Sequence, residues 1–276
     1  MLLVVMIHPM DVKGWYEVAD QVWFRRYDYG DENVGLIGSD AGLLVVDTRA
    51  TEIHAEELVA DIRHLSNKPI VGVVNTHGHW DHVFGNAVFD DVPIWGHRSC
   101  PGFMAATAEV MRQRLMTTDP FKAMAAALGA VRITPPTRLV DTEEVVSVGG
   151  RDVRLHHLGR GHTGGDLIVE IPDCSVAFVG DLVKENGPPG YRDSYPMEWP
   201  QTMQRVIGLV DGPIVPGHGD VIDRSFVESF TDRLGAVAQL VLAVISGALS
   251  PDQAAAQSPV HPRAFHQALD RAAAAD

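Results

Sequence analysis

Val73-Val-Asn-Thr-His77-Gly-His79-Trp-Asp81-His82 sets three imidazoles and a carboxylate within six positions, directly after an apolar run. That run, Pro69-Ile-Val-Gly-Val-Val74, has the length and β-branched content of a buried strand. A strand end is a rigid platform, and Gly78 allows the loop to turn tightly enough for the side chains to converge. Imidazole and carboxylate are both good zinc ligands. Four such donors on so short a loop do not fit easily around one ion, so two metals are the natural arrangement. A solvated histidine-rich turn is the bland alternative.

The rest of the chain argues against that alternative, because the same grammar recurs. Leu155-His-His-Leu-Gly-Arg-Gly161-His162-Thr-Gly-Gly165 and Pro213-Ile-Val-Pro-Gly217-His218-Gly219 each run an apolar strand into a glycine-flanked histidine. Val176-Ala-Phe-Val-Gly180-Asp181 ends a strand in an aspartate. One such residue is more often structural, whereas four strand ends that all deliver metal-ligand side chains call for metal. The remaining histidines, at positions 8, 54, 64, 97, 156, 157, 261 and 266, lack this setting and read as surface or packing residues. His156 and His157, which lead towards His162, are the nearest to an exception.

Outward from these motifs the chain alternates strands and helices. Val22-Trp-Phe24, Val34-Gly-Leu-Ile37 and Leu43-Leu-Val-Val46 are short β-type runs between turn-rich stretches. Thr51 to Leu65 then switches to a helical period, with Thr51 as cap and Ile53, Leu58, Ile62 and Leu65 as the apolar stripe. A second half repeats the pattern. Strands at Val145–Val148, Val153–Leu155, Leu167–Ile171 and Val176–Val179 precede a helix at Gln201–Leu209 and a last strand at Pro213–Pro216. Two β-rich halves with outer helices predict an α/β architecture, two sheets face to face with helices on both outer faces. One domain over 1–276 is expected, with a helical insertion at about 99–129 and a helical C-terminal extension at about 224–276.

The insertion, Gly102 to Leu128, is rich in Met and Ala and reads as two helices broken at Thr118-Asp-Pro120. Its apolar residues either pack on the body or wall a substrate site, where Met adapts to varied shapes. In the C-terminal extension, Ser250-Pro251 reads as a cap and first turn.

The formal charge of −14, from 36 acidic against 22 basic side chains, disfavours nucleic acid and anionic lipid as partners. No apolar run reaches the length of about 18 residues that a spanning helix needs. Met1 to Ile7 is apolar but lacks a basic flank and a cleavage site, and is expected to be an edge strand or a frayed end. Two cysteines, Cys100 and Cys174, are too few for a disulfide framework, which fits a reducing cytoplasm. The oligomeric state stays open.

With these residues in hand, the chain resembles the metallo-β-lactamase superfamily from about Trp23 to Val221. His77-Gly-His79-Trp-Asp81-His82 is similar to its His-x-His-x-Asp-His signature. The resemblance implies that His77, His79 and His162 bind a first metal, and Asp81, His82 and His218 a second, with Asp181 bridging them. Asp47, in Val45-Val-Asp-Thr48, resembles the family's aspartate that supports the metal loop by hydrogen bonds. Two zinc ions are implied, with iron or manganese as alternatives. Zinc lowers the pKa of bound water to about 7, so a metal-bound hydroxide is the expected nucleophile. Asp81 and Asp181 are the expected catalytic carboxylates.

An aspartate at position 181 resembles the glyoxalase II and lactonase-like branches more than true lactamases, where Cys or Ser is common. A small ester, thioester, lactone or amide is the expected substrate. A mononuclear-iron persulfide dioxygenase is the alternative from another reaction class, and β-lactam hydrolysis a further one. No clear basic set for glutathione marks the C-terminal helices. Trp80, Tyr191, Arg192, Tyr195, Met197 and Trp199 are candidate substrate contacts, and Lys184 is read as a solvated lysine.

Overall fold

The computed structural model describes residues 14–274; the apolar start, Met1 to Ile7, lies outside them. In chain order the elements are β1 (Tyr16–Ala19), β2 (Val22–Arg26), β3 (Asn33–Gly38), β4 (Leu43–Val46), α1 (Glu52–Leu65), β5 (Ile70–Val74), α2 (Trp80–Val83), β6 (Ile94–His97), α3 (Cys100–Thr117), α4 (Ala125–Ala130), β7 (Arg138–Val140), β8 (Glu143–Val148), β9 (Arg151–His156), β10 (Ile168–Ile171), β11 (Val176–Lys184), α5 (Trp199–Leu209), β12 (Ile214–His218), α6 (Arg224–Ile245), α7 (Pro251–Gln257) and α8 (Pro262–Ala273).

The strands form two mixed sheets. Seven run in the order β1-β2-β3-β4-β5-β6-β7 and five in the order β12-β11-β10-β9-β8. In the first sheet the pairing is antiparallel up to β4 and parallel from β4 to β7. In the second only β11 and β12 are parallel. Strands β1, β6 and β7 escape the sequence reading. They are too short to show a period, and two of them lie next to the insertion.

Alternation along each strand sorts the side chains into layers. Val22, Phe24, Ile37, Leu44 and Val46 meet Val153, Leu155, Val169 and Phe178 between the sheets. On the far side of the first sheet, Leu36, Val45 and Val73 pack against Ala55, Leu58 and Ile62 of α1. On the far side of the second, Ala177, Val179 and Ile214 pack against α5, α6, α7 and α8. The order is thus helix, sheet, sheet, helix. Strand β11 carries a near-continuous apolar run because both its faces are covered, Phe178 towards the other sheet and Val179 towards the helices.

Thr51 caps α1 by accepting from His54 N at 3.3 Å. The stripe of α1 is narrower than expected, since Ile53 is 61% exposed and Ala55, Leu58 and Ile62 carry the packing. Ser250 and Gln253 close a reciprocal capping box at the start of α7. The insertion breaks where foreseen, α3 ending at Thr117 and α4 starting at Ala125. Cys100 and Cys174 are free thiols, and burial pushes them up to about 12 and about 11. Among the described residues no helix is long and apolar enough to cross a membrane.

Candidate metal centre

Parallel pairing of β4, β5 and β6 sets their C-terminal ends side by side, and β11 and β12 do the same in the facing sheet. The loop after β5 carries His77, His79, Asp81 and His82, and the loop after β9 carries His162. Asp181 sits within β11 and His218 ends β12. Four segments far apart in sequence therefore empty into one crevice at the sheet edges.

Two groups of donor atoms result: His77, His79, His162 and Asp181 in one, and Asp81, His82 and His218 in the other, each within 4.8 Å. In the first, His79 Nδ1 lies 3.0 Å from His77 Nε2 and 2.9 Å from His162 Nε2. Asp181 Oδ2 is 3.3 Å from His162 Nε2. Its other oxygen, Oδ1, faces the second group, 3.2 Å from His218 Nε2 and 3.4 Å from His82 Nε2. Asp81 Oδ2 completes that group, 3.4 Å from His218 Nε2 and 3.8 Å from His82 Nε2. Donors placed about 2.0–2.1 Å from a tetrahedral zinc stand about 3.3 Å apart, close to the spacings found.

The donor atoms also fit a cation by what they lack. His82 Nε2, His218 Nε2 and Asp181 Oδ1 are buried without a hydrogen-bond partner. Buried polar atoms are rarely left so. Burial opposes ionisation of Asp181, yet His218, Lys184 and His162 hold its carboxyl well below the usual range. Burial likewise opposes a charge on His218, but Asp181 and Asp81 raise it to about 9. His77 and His162 go the other way, both held down chiefly by burial, His162 to about 3. Burial thus favours neutral rings at His77 and His162, whereas the carboxylates of Asp181 and Asp81 demand positive charge beside them.

Each outer ring nitrogen but one is held in place. Asp47 Oδ2 lies 2.8 Å from His82 Nδ1, and its two oxygens accept from Thr76 N and Thr76 Oγ1, each at 2.7 Å. Asp47 makes these contacts with its backbone at φ +67°. Asp31 O sits 3.0 Å from His218 Nδ1, and Thr76 Oγ1 3.1 Å from His77 Nδ1. Asp193 Oδ2 is 2.8 Å from His79 Nε2. Only His162 Nδ1 has no partner. Its loop is clamped instead by Asp166, which accepts from Thr163 N and Thr163 Oγ1.

Two glycines matter through close approach. A Cβ on Gly217 would sit 2.1 Å from Asp181 Oδ1, and one on Gly78 would sit 2.7 Å from the Phe103 ring. Gly78 is needed for the packing of α3 against the loop, a reason that spacing alone does not reveal.

A cavity of about 180 Å³ opens over the donors, lined among others by Trp80, Met111, Lys184, Tyr191, Arg192 and Gln267. A neighbouring cavity of about 210 Å³ is lined by Gly78, Cys100, Phe103, Thr163, Gly164 and Tyr195, among others. Trp80 and Tyr191 line the cavity over the donors, and Tyr195 lines the neighbouring one. Trp199 lines neither. It is fully buried among the helices and donates from Nε1 to Leu182 O at 3.3 Å, so its ring is core. The insertion does both things considered for it: Met104, Leu115 and Leu128 pack, while Phe103 lies 5.5 Å from the His79 ring and Met111 lines the cavity.

Lys184 is not a solvated lysine. Its Nζ lies 3.0 Å from Asp181 Oδ2 and its side chain is 23% exposed. Position i+3 from Asp181 on a strand gave no sign of this, because β11 is irregular between Gly180 and Lys184 and turns both residues to one side. Asp193 and Asp166 also escaped notice, each lying in a loop without periodicity. His156 and His157 are engaged outside the centre, with Glu170 Oε2 at 2.8 Å and Asp166 O at 3.0 Å.

Residues 27–218 match the metallo-beta-lactamase superfamily, a span that takes in all the donor residues above, and the chain belongs to that superfamily of metallohydrolases. Among its relatives is "Metallo-beta-lactamase type 2" from Bacillus cereus, 24% identical over 72% of this chain and 71% of the relative. The "Linear primary-alkylsulfatase" of Pseudomonas sp. (strain ATCC 19151) is 21% identical over 79% of this chain, which spans only 48% of that longer protein. The solved structure of a metallo-beta-lactamase from Pontibacter korlensis superposes with TM-score 0.63 at 20% identity, over 79% of this chain and 98% of the other.

Proposed function

We propose that this chain is a binuclear metallohydrolase acting on a small ester, thioester, lactone or amide in a reducing cytoplasm. The observation that carries the reading is the placement of Asp181, whose two oxygens face two separate donor groups. His77, His79 and His162 would hold the first ion and Asp81, His82 and His218 the second, with Asp181 shared. Imidazole and carboxylate donors suit zinc, and also iron or manganese. When bound, such ions polarise a carbonyl or comparable group and make water a competent nucleophile at neutral pH.

The chain's own residues supply the rest. Asp81 presents one oxygen towards His218 and borders the cavity, where it orients the attacking water and accepts its proton. Lys184 holds Asp181 Oδ2 from the cavity side. Trp80 and Met111 exclude water from the apolar side of the substrate, and the volume of about 180 Å³ favours a small molecule. Nucleic acid is disfavoured by the charge of −14.

Lactam hydrolysis is a second reading, supported by the names of the relatives from Bacillus cereus and Pontibacter korlensis. A one-iron dioxygenase would leave Asp81, His82 and His218 converging without purpose. Metal analysis by mass spectrometry, before and after chelation, tests the proposal together with a screen of esters, thioesters, lactones, lactams and sulfate esters. About two zinc ions per chain and metal-dependent turnover are expected. One iron with oxygen uptake, or no metal after reconstitution, would overturn it.

A further inference from the structure

The match to the superfamily ends at residue 218, yet α8, which follows it, reaches the metal centre. Gln267 lines the cavity over the donors, and Arg271 stands one turn further along α8 on the same face. Ala264, Phe265, Ala268 and Ala272 seat the helix in the core that also holds Tyr191 and Trp199. Side chains carried on a packed helix are placed more sharply than those on a loop.

Arg271 Nε donates to Ser194 O at 3.0 Å. That carbonyl shares one peptide plane with the N–H of Tyr195, which donates to Gly161 O at 2.8 Å. A single rigid group directly after Asp193 is therefore held at both ends, by α8 at its oxygen and by the residue before His162 at its nitrogen. Ser194 is buried, 1% exposed, and a charged donor to a buried carbonyl makes a strong bond. It also polarises the peptide and strengthens the bond at the other end. Among the described residues no carboxylate is ion-paired with Arg271, whose charge goes to this carbonyl and to the Tyr195 ring, 5.7 Å away. Four buried side chains already dock α8, so the distinctive effect of the bond falls on the loop. Asp193 in that loop lies 2.8 Å from His79 Nε2.

We propose that Arg271 is a positioning residue for the first metal site. By fixing the Ser194–Tyr195 peptide it holds Asp193, and through Asp193 the His79 ring, in the orientation that presents Nδ1 to the ion. A helix outside the span matched to the superfamily thereby sets metal affinity. A direct partner of a metal-binding histidine is worth about 10- to 100-fold in affinity. Arg271 acts one contact further out, so its share is smaller. The inference rests on the metal-binding reading of the centre and on no particular substrate.

Competition for zinc between the zinc-loaded protein and a chromophoric chelator tests it, in wild type, R271Q, R271K, D193A and the double variant R271Q/D193A. Thermal unfolding of the same proteins after chelation reports the fold separately. R271Q is expected to weaken zinc binding about three- to tenfold, and R271K, which keeps the charge and a donor, to restore part of the loss. Residues that act along one chain of contacts are not additive, so the double variant should bind little more weakly than D193A alone. Wild-type affinity in R271Q, or a loss in the double variant equal to the product of the two single losses, overturns the inference. A lower Tm of chelated R271Q with unchanged zinc affinity also overturns it, leaving Arg271 as a fastening of α8 only. Wild type without affinity for zinc would instead remove the metal reading itself, and with it anything for Arg271 to position.

Discussion

His79 Nε2 lies 2.8 Å from Asp193 Oδ2, across 114 residues of chain, and the contact turns the opposite nitrogen of the same ring towards His77 and His162. A neutral imidazole carries one N–H. With that proton on Nε2 and given to Asp193, the lone pair of Nδ1 faces the centre. The carboxylate thus selects the tautomer as well as the orientation. Replacing Asp193 by Ala is expected to weaken metal binding about 10- to 100-fold, with Asn intermediate. Competition against a chromophoric chelator measures it, and an unchanged affinity would show that the contact is incidental.

Removing the metals should destabilise the fold, because Asp81 and Asp181 are buried close together. A ligand present at a thousand times its Kd contributes about 4 kcal/mol. For a domain of this size that corresponds to a fall in Tm on the order of 10 °C. Calorimetry with and without chelator would show it, and an identical Tm would mean that the centre holds no tightly bound metal.

Stability should fall in acid through a histidine outside the centre. His97 stacks on His157 at 4.0 Å and is pushed down to about 4 by burial and then by that neighbour. Its unfolded value is near 6.5, so between pH 6.5 and about 4 the unfolded chain takes a proton that the folded ring refuses. Stability from this residue is complete above pH 6.5 and is lost as pH falls. H97Q removes the effect. From pH 7 to pH 5 wild type should lose about 1 kcal/mol more than H97Q, after discounting for solvent screening. Urea unfolding at both pH values tests this, and a constant difference between the proteins would count against it.

Trp199 should behave as core. Its ring packs under α6 near Phe230, and its indole N–H is satisfied by Leu182 O. Truncation to Ala is expected to cost about 3–5 kcal/mol, read by urea unfolding. A variant of wild-type stability but altered substrate preference would restore Trp199 to the cavity wall.

The donor residues were legible in the sequence because each follows a strand. His77, His162, Asp181 and His218 all succeed or end an apolar run, and such runs carry a clear period. The sandwich followed from the same runs, since strands covered on one or both faces need two sheets and outer helices. Strands β1, β6 and β7 are short and gave too few residues to establish a period.

Local pattern determined which side chains were candidates, and even their grouping through resemblance to a family. Tertiary structure alone decided what supports and surrounds them. Asp193 reaches His79 because loops remote in sequence end at the same edge of two sheets, and Lys184 reaches Asp181 because β11 is irregular between Gly180 and Lys184. Trp199 shows the converse: an aromatic close to the centre along the chain is buried under α6. A periodic pattern reports which face of a strand or helix is apolar. Which partners that face and its flanking loops meet depends on how the layers pack, and no local stretch of sequence carries that information.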